Sequence, residues 1–71
     1  MNTSNFVLEG EYIELTALLK ATNVAMTGGH AKILINDELV KVNGELELRK
    51  RYKVRKGDVI DVNDEVVIKV E

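Results

Sequence analysis

"AKILINDELVKVNGELEL", residues 31–48, contains the change of period on which the fold turns. Ala31, Leu34 and Ile35 recur at i, i+3, i+4, which is one face of a helix. From Leu39 the period becomes two, with Val40 and Val42 alternating with Lys41 as in a half-buried strand. Asn43-Gly44 then marks a hairpin turn, because both residues tolerate positive φ. The register is contested. A two-residue loop pairs Val42 with Glu45 and Val40 with Glu47, mixing apolar and charged side chains on one face. A three-residue loop, Asn43 to Glu45, pairs Val42 with Leu46 and Val40 with Leu48, and sets Lys41 against Glu47. A one-residue slip turns every side chain to the other face, so the longer or bulged turn is expected.

Upstream, Thr27 is placed to cap the helix that carries Ala31. Leu15, Leu18 and Leu19 form the apolar face of an earlier helix, whose start is poorly marked because Glu14 is a weak cap. Ala21 to Met26 joins the two helices into a compact pair. Phe6, Val7 and Leu8 predict a short N-terminal strand, and Glu9-Gly10-Glu11 a turn. Downstream, Lys56-Gly57-Asp58 and Asn63-Asp64-Glu65 read as turns around the strand Val59, Ile60, Val62. Val66, Ile68 and Val70 make a last strand. The expected class is α+β, in the order β-α-α-β-β-β-β, with two short helices packed on a small, mainly antiparallel sheet. Residues 1–71 are expected to form one domain, since a chain this short builds a single small core.

Composition removes several function classes. With no Cys there is neither a disulfide framework nor a thiolate metal site. The longest apolar runs are three residues, such as Ile33-Leu34-Ile35, far short of a membrane span. Met1 to Asn5 shows no basic-then-apolar leader, so a cytoplasmic location is expected. His30 is the one histidine, and no His/Asp/Glu pattern has metal-ligand spacing, so no metal and no cofactor is expected. Thr27 and His30 lie three apart at a helix start, where a nucleophile–base pair is conceivable. A cap at Thr27 and an exposed first-turn His30 account for them more simply, and no enzyme activity is expected.

The charge is unevenly placed. The net charge is -2, yet seven of the ten Lys and Arg residues fall between Lys41 and Lys56, alongside only Glu45 and Glu47. Such segregation describes a surface field and therefore a partner. As a regular strand, Arg49 to Lys56 would present a face that no core accepts. It reads instead as a loop or irregular edge, pinned by Tyr52 and Val54 with its cations in solvent. Arg supplies forked phosphate contacts and Lys point charges. Phe6, Tyr12 and Tyr52 are too few for a base-stacking platform, so recognition by shape and backbone is expected. Thr27-Gly28-Gly29 leaves helix N-terminal N–H groups open to an anion. The steric role, in which the glycines serve close helix approach or an unusual φ, is the favoured one, and the two roles are compatible.

In order, Ile13-x-Leu15-x-x-Leu18-Leu19-Lys20, Thr27-Gly28-Gly29-x-Ala31-Lys32-x-x-Ile35, Val40-x-Val42-Asn43-Gly44-Glu45, Arg49 and Lys56-Gly57-Asp58-Val59-Ile60 resemble the S4 RNA-binding domain. The resemblance covers about residues 13–62. Its Gly-Gly-x-Ala-Lys form is similar to the YbcJ/YaaA-like group of short bacterial S4 proteins, in which the domain is the whole protein. It implies the alpha-L arrangement of that family, and an RNA-binding surface made by the second helix and the following hairpin. The implied partner is structured RNA such as rRNA or tRNA, with a role in ribosome assembly or translation. Many such domains carry Ser-Arg where this chain has Thr27-Gly28, so one family contact to RNA is missing. The residues expected to face RNA are Thr27, Gly28, Gly29, Lys32, Lys41, Arg49, Lys50, Arg51 and Lys53, on a monomer. The rival reading is a protein-interaction adaptor whose basic face docks on an acidic protein.

Overall fold

The computed structural model describes residues 2–71. The elements in chain order are β1 (Asn2–Phe6), β2 (Ile13–Glu14), α1 (Leu15–Ala21), α2 (Gly28–Asn36), β3 (Val40–Val42), β4 (Glu45–Leu46), β5 (Lys53–Val54), β6 (Val59–Val62) and β7 (Val66–Val70). Five strands form one sheet in the order β1-β7-β6-β3-β4, and β2 pairs with β5 in a separate two-stranded ribbon. The class is α+β, with the larger sheet antiparallel except where β1 runs parallel to β7.

Period-two patterning explains which face of the sheet is covered. Val40 and Val42, Ile60 and Val62, and Ile68 and Val70 are all buried, while Lys41 and Lys69 between them are exposed. The helices contribute Leu15, Leu18, Leu19, Ala31 and Ile35, each without accessible surface, to the same core. Removing this apolar area from water is the main term favouring the fold.

The N-terminal strand lies earlier than the apolar residues predicted. It spans Asn2–Phe6, paired Asn2 to Val66 through Phe6 to Val70, rather than centring on Val7. Val7 is exposed, and Leu8 is buried past the strand end, where its N–H donates to Glu71 O at 2.7 Å. Backbone pairing with β7, not side-chain alternation, defines this strand.

The expected three-residue loop is wrong. β3 and β4 pair Lys41 with Leu46 and Val42 with Glu45, so Asn43-Gly44 is a two-residue turn. Both turn residues have positive φ, 52° and 86°, as a type I′ turn requires. The apolar-matching argument fails because β4 is a two-residue edge strand that faces solvent. Leu46 and Leu48 are exposed, and neither enters the core. Val40 and Val42 instead match Val62 and Ile60 on their other side, across β6.

Asn43 also locks this corner to β6. Its Nδ2 donates to Asp58 Oδ1 at 3.0 Å, its Oδ1 accepts from Val59 N at 2.9 Å, and its own N–H donates to Val59 O at 2.8 Å. Asn43→Ala removes both side-chain bonds and strains a left-handed residue. The expected cost is about 2 kcal/mol, a fall in Tm of about 10 °C. Asn43→Gly, which keeps the φ, is expected to lose less; a thermal melt of the two variants separates conformation from hydrogen bonding.

Candidate nucleic-acid interface

The basic loop is built onto the start of α1. Glu14 precedes the helix in extended conformation and makes no side-chain cap bond. The first orphan N–H groups are satisfied from far along the chain: Leu15 N donates to Tyr52 O at 2.9 Å and Thr16 N to Lys50 O at 3.3 Å. This explains why the helix start was poorly marked in sequence. The same loop pairs Val54 with Ile13 and Lys53 with Glu14. Val54 has no accessible surface and Tyr52 packs against the core, as expected of the two anchors. The Tyr52 and Lys50 carbonyl groups of the loop thus face the helix start, while Arg49, Arg51, Lys53 and Arg55 are exposed.

Those cations meet. Arg49, Arg51, Lys53 and Arg55, with Tyr52, line an open concavity of about 540 Å³ whose wall contains no carboxylate. Two carboxylates hold its margin. Arg49 Nε and Nη2 grip Glu47 Oε2 and Oε1, each at 3.0 Å, and Glu47 Oε2 also accepts from Arg49 N at 2.9 Å. Arg51 Nε donates to Glu14 Oε2 at 2.9 Å. The Arg49 hydrogen bonds hold the Glu47 carboxyl below the usual glutamate range, against partial cover that pushes the other way. Reciprocally, Glu47 and Glu14 raise the pKa of Arg49 and Arg51. The two guanidinium side chains remain 73% and 85% exposed, so these are surface pairs worth little in stability. Arg49 lies over the Tyr52 ring and Lys53 over Tyr12, each 5.0 Å from the ring centroid.

The other residues named from sequence are dispersed. Lys32 is exposed on α2, and Lys50 is half-buried in the loop. Lys41 projects from the solvent side of β3 opposite Asp61, in a hollow of about 210 Å³ shared with Glu38, Asp61 and Asp64. Its surroundings are acidic. The Lys41–Glu47 pair expected across the hairpin does not form, since Glu47 is turned to Arg49. Arg55 was absent from the expected set, although it continues the alternation of Arg51 and Lys53. Tyr12 was likewise missed as a neighbour of Lys53, because 41 positions of chain separate them and only the β2–β5 pairing joins their ends.

Thr27 is the α2 cap, its Oγ1 accepting from His30 N at 3.0 Å. His30 Nδ1 accepts from Met26 N at 3.2 Å. Both side chains are thus turned to backbone rather than to each other. The steric reading of the glycines fails: a Cβ on Gly28 would meet nothing within 4 Å, and one on Gly29 would meet only Thr27 Oγ1 at 3.8 Å. Neither has positive φ. Among the described residues, no group of three or more His, Asp and Glu is placed to hold a metal ion. No helix among them is long and apolar enough to cross a membrane.

Comparison with known proteins agrees with this geometry. Residues 6–71 match the family model described as the S4 domain. The chain is 41% identical over 49 residues to the protein named "Putative RNA-binding protein YbcJ" of Escherichia coli K12, covering 69% of this chain and 70% of that one. A Shigella flexneri protein named "Uncharacterized protein YbcJ" matches with the same identity and coverage.

Proposed function

The chain belongs to the S4 domain family, and from that premise we propose that it is a non-catalytic RNA-binding protein. Its target is structured RNA, rRNA or tRNA, in ribosome assembly or translation in the cytoplasm. The observation that carries this reading is the concavity in which Arg49, Arg51, Lys53 and Arg55 converge with no carboxylate in the wall. Four cations on a loop strapped to a helix start are held at fixed spacing without being buried. A phosphate backbone fits such an array, because it offers regularly spaced anions and needs no deep cavity. Lys32, Lys50 and the Thr27-Gly28-Gly29 turn have peripheral roles in this reading. Lys41 contributes least, since Glu38, Asp61 and Asp64 offset its charge.

Fluorescence anisotropy with labelled tRNA and an rRNA stem-loop, over a salt series, tests the proposal. About four phosphate contacts give a slope of log K against log[salt] of about -3. A slope near zero, or no binding to either RNA, overturns it. Affinity capture with and without ribonuclease addresses the adaptor reading. Acidic protein partners that persist after ribonuclease, together with a flat salt response to RNA, would replace the RNA assignment.

A further inference from the structure

We propose that the pair Arg49–Tyr52 divides two subsites, and that the one on the hairpin side receives a single unpaired base of the RNA. This rests on the RNA-binding reading above and adds a ligand class to it. Arg49 and Tyr52 line the cationic concavity, and both also line a second hollow of about 290 Å³. The remaining wall of that hollow comes from Val42, Asn43, Glu45, Leu46 and Glu47 of the hairpin and its exit. Its chemistry is opposite to that of its neighbour. It contains two carboxylates and the exposed apolar side chain of Leu46, and its only cation is Arg49. A phosphate is repelled there. A neutral, planar base is not, and its amino groups can donate to a carboxylate.

Arg49 is the element suited to receive the base. Its Nε/Nη2 edge is spent on both oxygens of Glu47, which fixes the guanidinium plane and leaves the Nη1 side for one further contact. Tyr52 lies against the guanidinium 5.0 Å from the ring centroid, and the side chain is still 73% exposed. Guanidinium planes stack bases as aromatic rings do. Glu47 and Tyr52 therefore act as positioning residues that present the guanidinium as a plane. Arg51, Lys53 and Arg55 hold the phosphates on the other side of the divide, where the free Nη1 side of Arg49 completes the array.

The test compares three stem-loop RNAs: one with a single bulged guanosine, one with an abasic bulge at the same place, and one fully paired. The guanosine bulge is expected to bind about tenfold tighter than the abasic bulge, the size of one base-stacking contact. Arg49→Lys keeps the charge but loses the plane, and is expected to bring that ratio close to one. Glu47→Gln loosens the guanidinium while adding net positive charge. It is expected to lower the ratio while tightening binding to the fully paired RNA, opposite signs that simple loss of structure does not produce. Tyr52→Phe keeps the ring and is expected to keep the ratio. Equal affinity of the wild-type protein for the guanosine and abasic bulges overturns the base subsite while leaving the RNA-binding reading intact. An unchanged ratio in Arg49→Lys overturns the role of Arg49. Absence of binding to all three RNAs overturns both readings.

Discussion

Replacing Arg51 and Arg55 together by Gln is expected to lower affinity for structured RNA about a hundredfold at about 50 mM salt, and to halve the salt slope. Each cation that neutralises a phosphate releases condensed counterions, and that release contributes most at low salt. Two contacts of about four are lost, so the slope falls from about -3 to about -1.5, and the two proteins converge as salt rises. The fold should survive. Both residues are exposed, and the Arg51–Glu14 pair is a surface pair. The bond from Arg55 to Asp58 Oδ2 uses the backbone N–H, which Gln retains. Anisotropy titrations at several salt concentrations, with circular dichroism as the control for folding, provide the check. Wild-type affinity and slope in the double variant would remove the cationic concavity from the function.

Leu18→Ala is the second large effect. Leu15, Leu18 and Leu19 have no accessible surface, and α1 is seven residues long, too short to be helical without tertiary contacts. Truncating a buried Leu costs about 2–5 kcal/mol, from lost transfer energy and the cavity left behind. A chain of this length has a total stability of about 4–11 kcal/mol, so the variant is expected to melt about 15–20 °C lower. Ile33→Ala, on the exposed side of α2, should shift the melt little. Because Leu15 and Thr16 donate to the basic loop, loosening α1 should also free Tyr52 and Lys50. RNA affinity of Leu18→Ala is then expected to fall at temperatures well below its midpoint. A melt lowered by less than about 5 °C would show that the core repacks around the missing side chain.

The parts of the site that were legible in sequence depend on local rules. Tyr52 and Val54 were readable as anchors because no core accepts either face of the run Arg49 to Lys56. The acidic clamps were not readable. Arg51 meets Glu14 across 37 positions, and Arg49 meets Glu47 in a register that sets Lys41 against Leu46 instead. The contact orients Arg49, since pairing its Nε/Nη2 edge with one carboxylate fixes the plane of the guanidinium.

The sequence by itself determined the helix faces, the Thr27 cap, the positive-φ turn at Asn43-Gly44, and the turn at Gly57, where φ is 95°. Each follows from side-chain spacing or backbone sterics over a few residues. Only the tertiary structure decided the hairpin register, the parallel β1–β7 pairing, and the start of α1. β3 has two neighbours, and the buried match to β6 outweighs the solvent-facing match to β4. β1 is defined by backbone bonds to the last strand, and the first N–H groups of α1 by carbonyls of the basic loop. Backbone donors and acceptors are identical at every residue, so the side-chain pattern that specifies local structure does not specify which distant segment satisfies them.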